Sequence, residues 1–64
     1  KLAKSIVSAV EIKSGNPITP EMLTTKGPGT GISPTRLSEL IGKSTTRNIP
    51  ADEVIKNEDI QWQS

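Results

Sequence analysis

The stretch KGPGTGISP, residues 26–34, packs three glycines and two prolines into nine positions, and it is where this 64-residue chain comes nearest to chemistry. Glycine lets a backbone approach a ligand that a Cβ would hold off. A phosphate cradle of the P-loop type needs G-x-x-x-x-G-K-[ST] between a strand and a helix, and no lysine follows these glycines. The dinucleotide fingerprint needs G-x-G-x-x-G opening the helix of a βαβ unit, and the chain is too short for that unit. Two readings remain. The loop is a rigid surface turn that delivers the chain to a helix starting at Pro34, or it is a contact loop. In the second reading, bare backbone N–H groups and the Thr30 hydroxyl approach a polar ligand, and Lys26 opens the loop where it can meet an anion.

The other reactive side chains suggest less. Asp52 with Glu53, and Glu58 with Asp59, are sequence neighbours at turns or helix starts, where acids are favoured electrostatically, so they read as solvated turn acids. Arg36, Lys43 and Arg47 are dispersed and read as solvated surface, Met22 as core and Trp62 as terminal packing. The chain has no histidine and no cysteine. A Ser-His-Asp arrangement is therefore impossible within it, as is a structural zinc site of the usual kind. Catalysis by this chain alone is not expected, and no cofactor box is visible.

The totals set the same limits. A single domain of this size buries about 60% of the surface its unfolded chain exposes, with a core built from aliphatic residues and one tryptophan. Substrate clefts run roughly 300–1,000 Å³, too much for this interior to enclose. Eight basic and seven acidic residues are interleaved, with no basic stripe or stacking platform for nucleic acid. No apolar run is long enough for a membrane span or a signal-peptide core. The chain opens on Lys1 and not on methionine, which suggests a piece of a longer polypeptide or a processed product, and its composition is compatible with the cytoplasm.

The elements that must position these residues are short. SIVSAVEI (5–12) has strand character, and SGNP (14–17) turns, with Gly15 and Asn16 both able to take positive φ. TPEML (19–23) reads as one helical turn with Thr19 as N-cap, Pro20 at the first position and Glu21 facing the dipole. SPTRLSELIG (33–42) is the clearest helix, capped by Ser33 and ended by Gly42, with Leu37, Leu40 and Ile41 on one inward face. STTRNI (44–49) returns to strand, PADE (50–53) turns, and Val54 and Ile55 pair briefly. NEDI (57–60) makes a last helical turn capped by Asn57. Residues 11–23 also superpose on 48–60 at an offset of 37, matching Ile12 with Ile49, Ile18 with Ile55, Glu21 with Glu58 and Leu23 with Ile60. Such a repeat implies two similar halves about a pseudo-two-fold axis, in a mostly β fold with short helical turns and one short helix near 34–41.

Taken together, SIVSAVEIKSGNPITPEML, PGTGISP and LIGKSTTRNIPADEVI resemble the antifreeze-like or SAF domain over nearly the whole chain. PGTGISP is the most specific element. The resemblance implies a β-clip fold with pseudo-two-fold halves, and a place at the C-terminal end of a bacterial sialic acid synthase. In such enzymes a separate barrel with a divalent metal (Mn or Mg) condenses phosphoenolpyruvate with N-acetylmannosamine, and relatives make legionaminic or pseudaminic acid. The antifreeze-like domain caps the active site of the partner subunit in a homodimer. The resemblance puts Lys26, Pro28, Gly29, Thr30, Gly31, Ile32 and Ser33 against the amino sugar, with no cofactor in the domain itself.

In one respect the chain departs from the family. An arginine that contacts the sugar usually precedes PGTGIS, and here that position is Gly27. Its role is not carried over, and Lys26 offers only a flexible ammonium in place of a planar fork. A second reading is a free-standing ice-binding protein of the globular fish type, whose flat face would include Gly15, Asn16, Thr19 and Met22. Glu21 within that face would hold hydration water and weaken adsorption. Other SAF-domain hosts include flagellar or pilus assembly chaperones and sugar-acid dehydratases.

Overall fold

A computed structural model describes residues 3–27 and 29–62. Two antiparallel strand pairs frame it. Strand β1 (Ser5–Ser8) pairs with β2 (Leu23–Lys26), and β3 (Ser44–Thr45) pairs with β4 (Ile60–Gln61). Between them, a 3-10 turn at Pro34–Arg36 runs into helix α1 (Leu37–Leu40). Two further 3-10 turns, Pro20–Met22 and Asn57–Asp59, each lead directly into a strand. Among the described residues, no helix is long and apolar enough to cross a membrane.

The repeat seen in the sequence is a symmetry of the backbone. The offset of 37 carries the Pro20–Met22 turn onto Asn57–Asp59, and the pair Ser8↔Leu23 onto Thr45↔Ile60. Hydrogen bonds follow it across the two halves: Ile18 N–H donates to the Lys43 carbonyl at 2.8 Å, and its counterpart Ile55 N–H donates to the Ile6 carbonyl at 3.0 Å. At the axis, Ile12 and Ile49 form an antiparallel bridge with each other. The matched isoleucines at 12, 18, 49 and 55, with Ile6, Ile32, Leu40 and Ile60, fill one shared core. Burying a side chain of this kind stabilises by about 1.5–3 kcal/mol, and a chain with one tryptophan and no other aromatic relies on it.

The turns obey the same symmetry and explain which residues carry it. Gly15 takes φ 89° and its counterpart Asp52 takes φ 65°, the one non-glycine in the left-handed region among the described residues. Asn16, expected to share this freedom, does not adopt it. Ser8 holds the second turn: its hydroxyl donates to the Pro50 carbonyl at 2.6 Å and accepts from Glu53 N–H at 2.9 Å. Thr45, the counterpart of Ser8, is buried, and its hydroxyl has no partner among the described residues.

Several sequence-based expectations need correction. The first strand stops at Ser8 because Ser8 turns its polar groups to the 50–53 turn, and only Ile12 pairs again, through its bridge. The helix is α-helical only over Leu37–Leu40. Ile41 has left it, with φ −65° and ψ 128°, so it does not share the inward face and stands exposed. Thr19 does not cap the first 3-10 turn with its side chain. Met22 is only half-buried at the edge of the core. The last turn starts from Lys56 and not from Asn57, because Asp59 accepts the Lys56 N–H at 3.0 Å.

Asp59 is accordingly no solvated turn acid. It is buried, and Arg47 donates to it through Nε at 3.0 Å while reaching Glu53 through Nη2 at 3.2 Å. Asp59 first, and Glu53 second, hold the Arg47 guanidinium above its ordinary pKa. This cluster fixes residues 56–59, which bear on the site described next.

Candidate functional site

The glycine-rich loop lies hard against two neighbouring segments. A Cβ on Gly29 would sit 2.5 Å from the Cβ of Ala3, and one on Gly31 would sit 2.6 Å from both the Ile55 carbonyl oxygen and a Val54 methyl. Glycine is needed at both positions for this close approach. The backbone there is already occupied: Gly31 N–H donates to Ser5 Oγ at 2.8 Å, Ile32 N–H to the Ile55 carbonyl at 3.2 Å, and Ile6 N–H to the Ile32 carbonyl at 2.9 Å. The expectation of bare N–H groups aimed at a ligand therefore fails at Gly31 and Ile32. Their donors serve the fold, since a buried amide without a partner would be costly.

Beside this stitched loop an open cleft of about 370 Å³ is lined by Thr30, Gly31, Ile32, Ser33, Arg36, Lys56, Asn57 and Glu58. Its volume falls at the small end of ligand clefts, but most of its walls are exposed, so nothing is enclosed. Of the loop residues singled out from the sequence, Thr30, Gly31, Ile32 and Ser33 come together here. Gly29 is not among the lining residues, and Pro28 lies outside the described residues. Lys26 does not reach the cleft. It ends β2 and pairs with the Asp52 carboxylate.

The opposite wall was not visible to sequence reasoning. Arg36 donates through Nε to Glu39 at 3.1 Å, and its guanidinium lies 5.2 Å from the centre of the Trp62 ring, a cation–π contact. Trp62 in turn donates through Nε1 to the Asn57 carbonyl at 3.0 Å. A tryptophan read as terminal packing thus ties the helix start to the last 3-10 turn. Arg36, Asn57 and Glu58 read as turn or surface residues and Lys56 is not singled out, because no local spacing links the four. The only signal was the repeat, which placed a turn at Asn57–Asp59 without showing what it would face.

On the other candidate face, Gly15 and Asn16 are exposed while Thr19 and Met22 are half-buried. Glu21 stands exposed among them, and its own backbone N–H, helped by the Thr19 hydroxyl, holds its carboxyl below the usual range. A charge therefore persists on that face at neutral pH. No three His, Cys, Asp or Glu side chains among the described residues are grouped to hold a metal ion.

The SAF domain family matches residues 3–61, nearly the full length. The chain belongs to the SAF domain family. This SAF domain is 43% identical over 53 residues to the N,N'-diacetyllegionaminic acid synthase of Campylobacter jejuni, an alignment that covers 83% of the chain and 16% of that enzyme. The chain thus spans about one sixth of that relative's length. Its fold matches the solution structure of the antifreeze protein like domain in human N-acetylneuraminic acid phosphate synthase, with a TM-score of 0.85 and 33% identity, over 89% of this chain and 73% of that one. The small, mostly β architecture expected from the sequence is the architecture of that domain.

Proposed function

We propose that this SAF domain is the substrate-capping part of a synthase that condenses phosphoenolpyruvate with N-acetylmannosamine or a related amino sugar. In this reading it closes over the active site of the partner subunit in a cytoplasmic homodimer. The observation that carries the proposal is the 43% identity, across most of the domain, to a legionaminic acid synthase. The fold match to a domain of a human N-acetylneuraminic acid phosphate synthase supports the same enzyme class.

The condensation itself belongs to a separate barrel with its divalent metal, and the domain contributes a wall. Closing such a wall excludes water and completes the surface that orients the substrate. The side chains available for this are the Thr30 hydroxyl and the cleft residues opposite it, since the N–H groups of Gly31 and Ile32 are occupied. Gly27 in place of an arginine leaves two options, a different amino sugar or a lost lid contact, and N-acetylmannosamine stays among the candidate substrates.

The test is to isolate the native polypeptide that carries this domain, measure its mass and assay it. A polypeptide several times heavier than 6.8 kDa, consuming phosphoenolpyruvate only with an amino sugar and a divalent cation, is the expected result. A free protein of 6.8 kDa without that activity overturns the proposal.

A further inference from the structure

We infer that the cleft between the glycine-rich loop and the last 3-10 turn is a carboxylate-recognising subsite for a sugar acid, with Arg36 as its principal anion ligand. Arg36 is held from two sides: Glu39 takes its Nε, and the Trp62 ring supports its face. Its Nη1 and Nη2 have no partner among the described residues, although the side chain lines the cleft. A guanidinium fixed in this way presents a planar fork, which matches a carboxylate in geometry as well as in charge.

The remaining lining suits the rest of a sugar acid. Lys56 adds a second cation whose ammonium is unpaired among the described residues, and its backbone is anchored by Asp59. Arg36 and Lys56 bring two cations to the cleft, with Glu58 in its lining and Glu39 engaged only at Arg36 Nε. Glu58, the Asn57 amide and the Thr30 hydroxyl can bond the hydroxyls of a polyol, and Ile32 offers an apolar floor for ring C–H or acyl groups. A neutral sugar would leave Arg36 Nη1 and Nη2 without a charged partner, since Glu39 engages only Nε. The choice of a sugar acid rests on the proposed function: condensing phosphoenolpyruvate with an amino sugar turns a neutral sugar into a carboxylated one, so the cleft would favour product over amino-sugar substrate.

The experiment is a ¹⁵N–¹H NMR titration of the 64-residue chain with N-acetylneuraminate, with N-acetylmannosamine and acetate as parallel probes. Saturable shifts with N-acetylneuraminate at residues 30–33, at residues 56–58 and at Arg36 Nε are expected. Both other probes should bind far more weakly. Arg36→Gln should weaken the sugar acid about ten-fold or more, and Arg36→Lys should recover only part of the loss, each with a wild-type spectrum elsewhere to show that the fold is intact. The inference is overturned if N-acetylneuraminate produces no saturable shift, if N-acetylmannosamine or acetate binds as well, or if folded Arg36→Gln binds unchanged. An active parent synthase with a silent cleft removes this subsite and leaves the capping role. A binding cleft on a free, inactive protein removes the capping role and leaves the subsite.

Discussion

Ile12 and Ile49 hold the same position in the two halves of the chain, and each donates its backbone N–H to the other's carbonyl at 2.8 Å. The pair sits on the pseudo-two-fold axis, and both side chains are fully buried. The two halves are therefore joined through the residues that define their likeness, and neither half can bury its isoleucines without the other.

Conservative trimming should reveal that coupling. Ile12→Val and Ile49→Val should each cost about 0.5–1.5 kcal/mol. Because the residues touch, the double variant should depart from the sum by about 0.5 kcal/mol or more. Urea denaturation followed by circular dichroism measures this, and strict additivity would show that the two halves are not coupled at the axis.

Ser8 and Thr45 are symmetry mates with opposite standing. Ser8 Oγ clasps the second turn, so Ser8→Ala should destabilise by about 1–3 kcal/mol. Thr45 Oγ1 is buried without a partner, so the near-isosteric Thr45→Val should be neutral or stabilising. Thermal unfolding of both variants checks the contrast in sign.

The second turn carries removable strain. Asp52 at φ 65° occupies a region that costs a non-glycine roughly 1–2 kcal/mol. Its exposed pair with Lys26 contributes about 0–1 kcal/mol. Asp52→Gly should accordingly raise Tm by a few degrees, on the scale of about 4–8 °C per kcal/mol for a domain near this size, while Lys26→Ala should change it little. A fall in Tm for Asp52→Gly would mean that the ion pair outweighs the strain.

These contrasts show how far the sequence could be read. The repeat was legible because its two copies keep isoleucines, acids and turns in one order. The loop was legible because glycines and prolines restrict the backbone in known ways. The second wall of the cleft was not, since Arg36, Trp62 and Lys56 meet only after two turns have folded back across the chain. Burial of Asp59 was equally hidden, because its partner Arg47 lies on another element. The end of the helix at Leu40 was misread because periodicity continues through Ile41 after the backbone has turned extended.

The loop glycines should respond very differently to substitution. Gly31→Ala drives a Cβ into the Ile55 carbonyl and should unfold the domain or displace the loop, whereas among the described residues a Cβ at Gly27 meets only the Ala3 carbonyl oxygen at 3.5 Å. Gly27→Arg should therefore fold normally, as a thermal melt would confirm. In a parent enzyme that makes N-acetylneuraminate it should improve use of N-acetylmannosamine, and lowered activity would point to a different sugar geometry.

Ice growth separates the second functional reading. The carboxyl of Glu21 is held low, so it is charged at neutral pH and keeps its hydration on the face with Thr19 and Met22. The same sign means that its small contribution to stability is present above the unfolded pKa and is lost as pH falls through the folded one. Round growing discs and no freezing-point gap are expected, and faceted crystals with a gap would favour an autonomous ice-binding protein.

The most direct measurement is the steady-state kinetics of the full-length enzyme carrying Thr30→Ala. A capping loop that touches the sugar should raise the KM for the amino sugar several-fold and leave that for phosphoenolpyruvate nearly unchanged. Lys26→Ala, outside the cleft, should have the smaller effect. If Thr30→Ala leaves both constants unchanged, the loop does not meet the substrate and the capping account is contradicted.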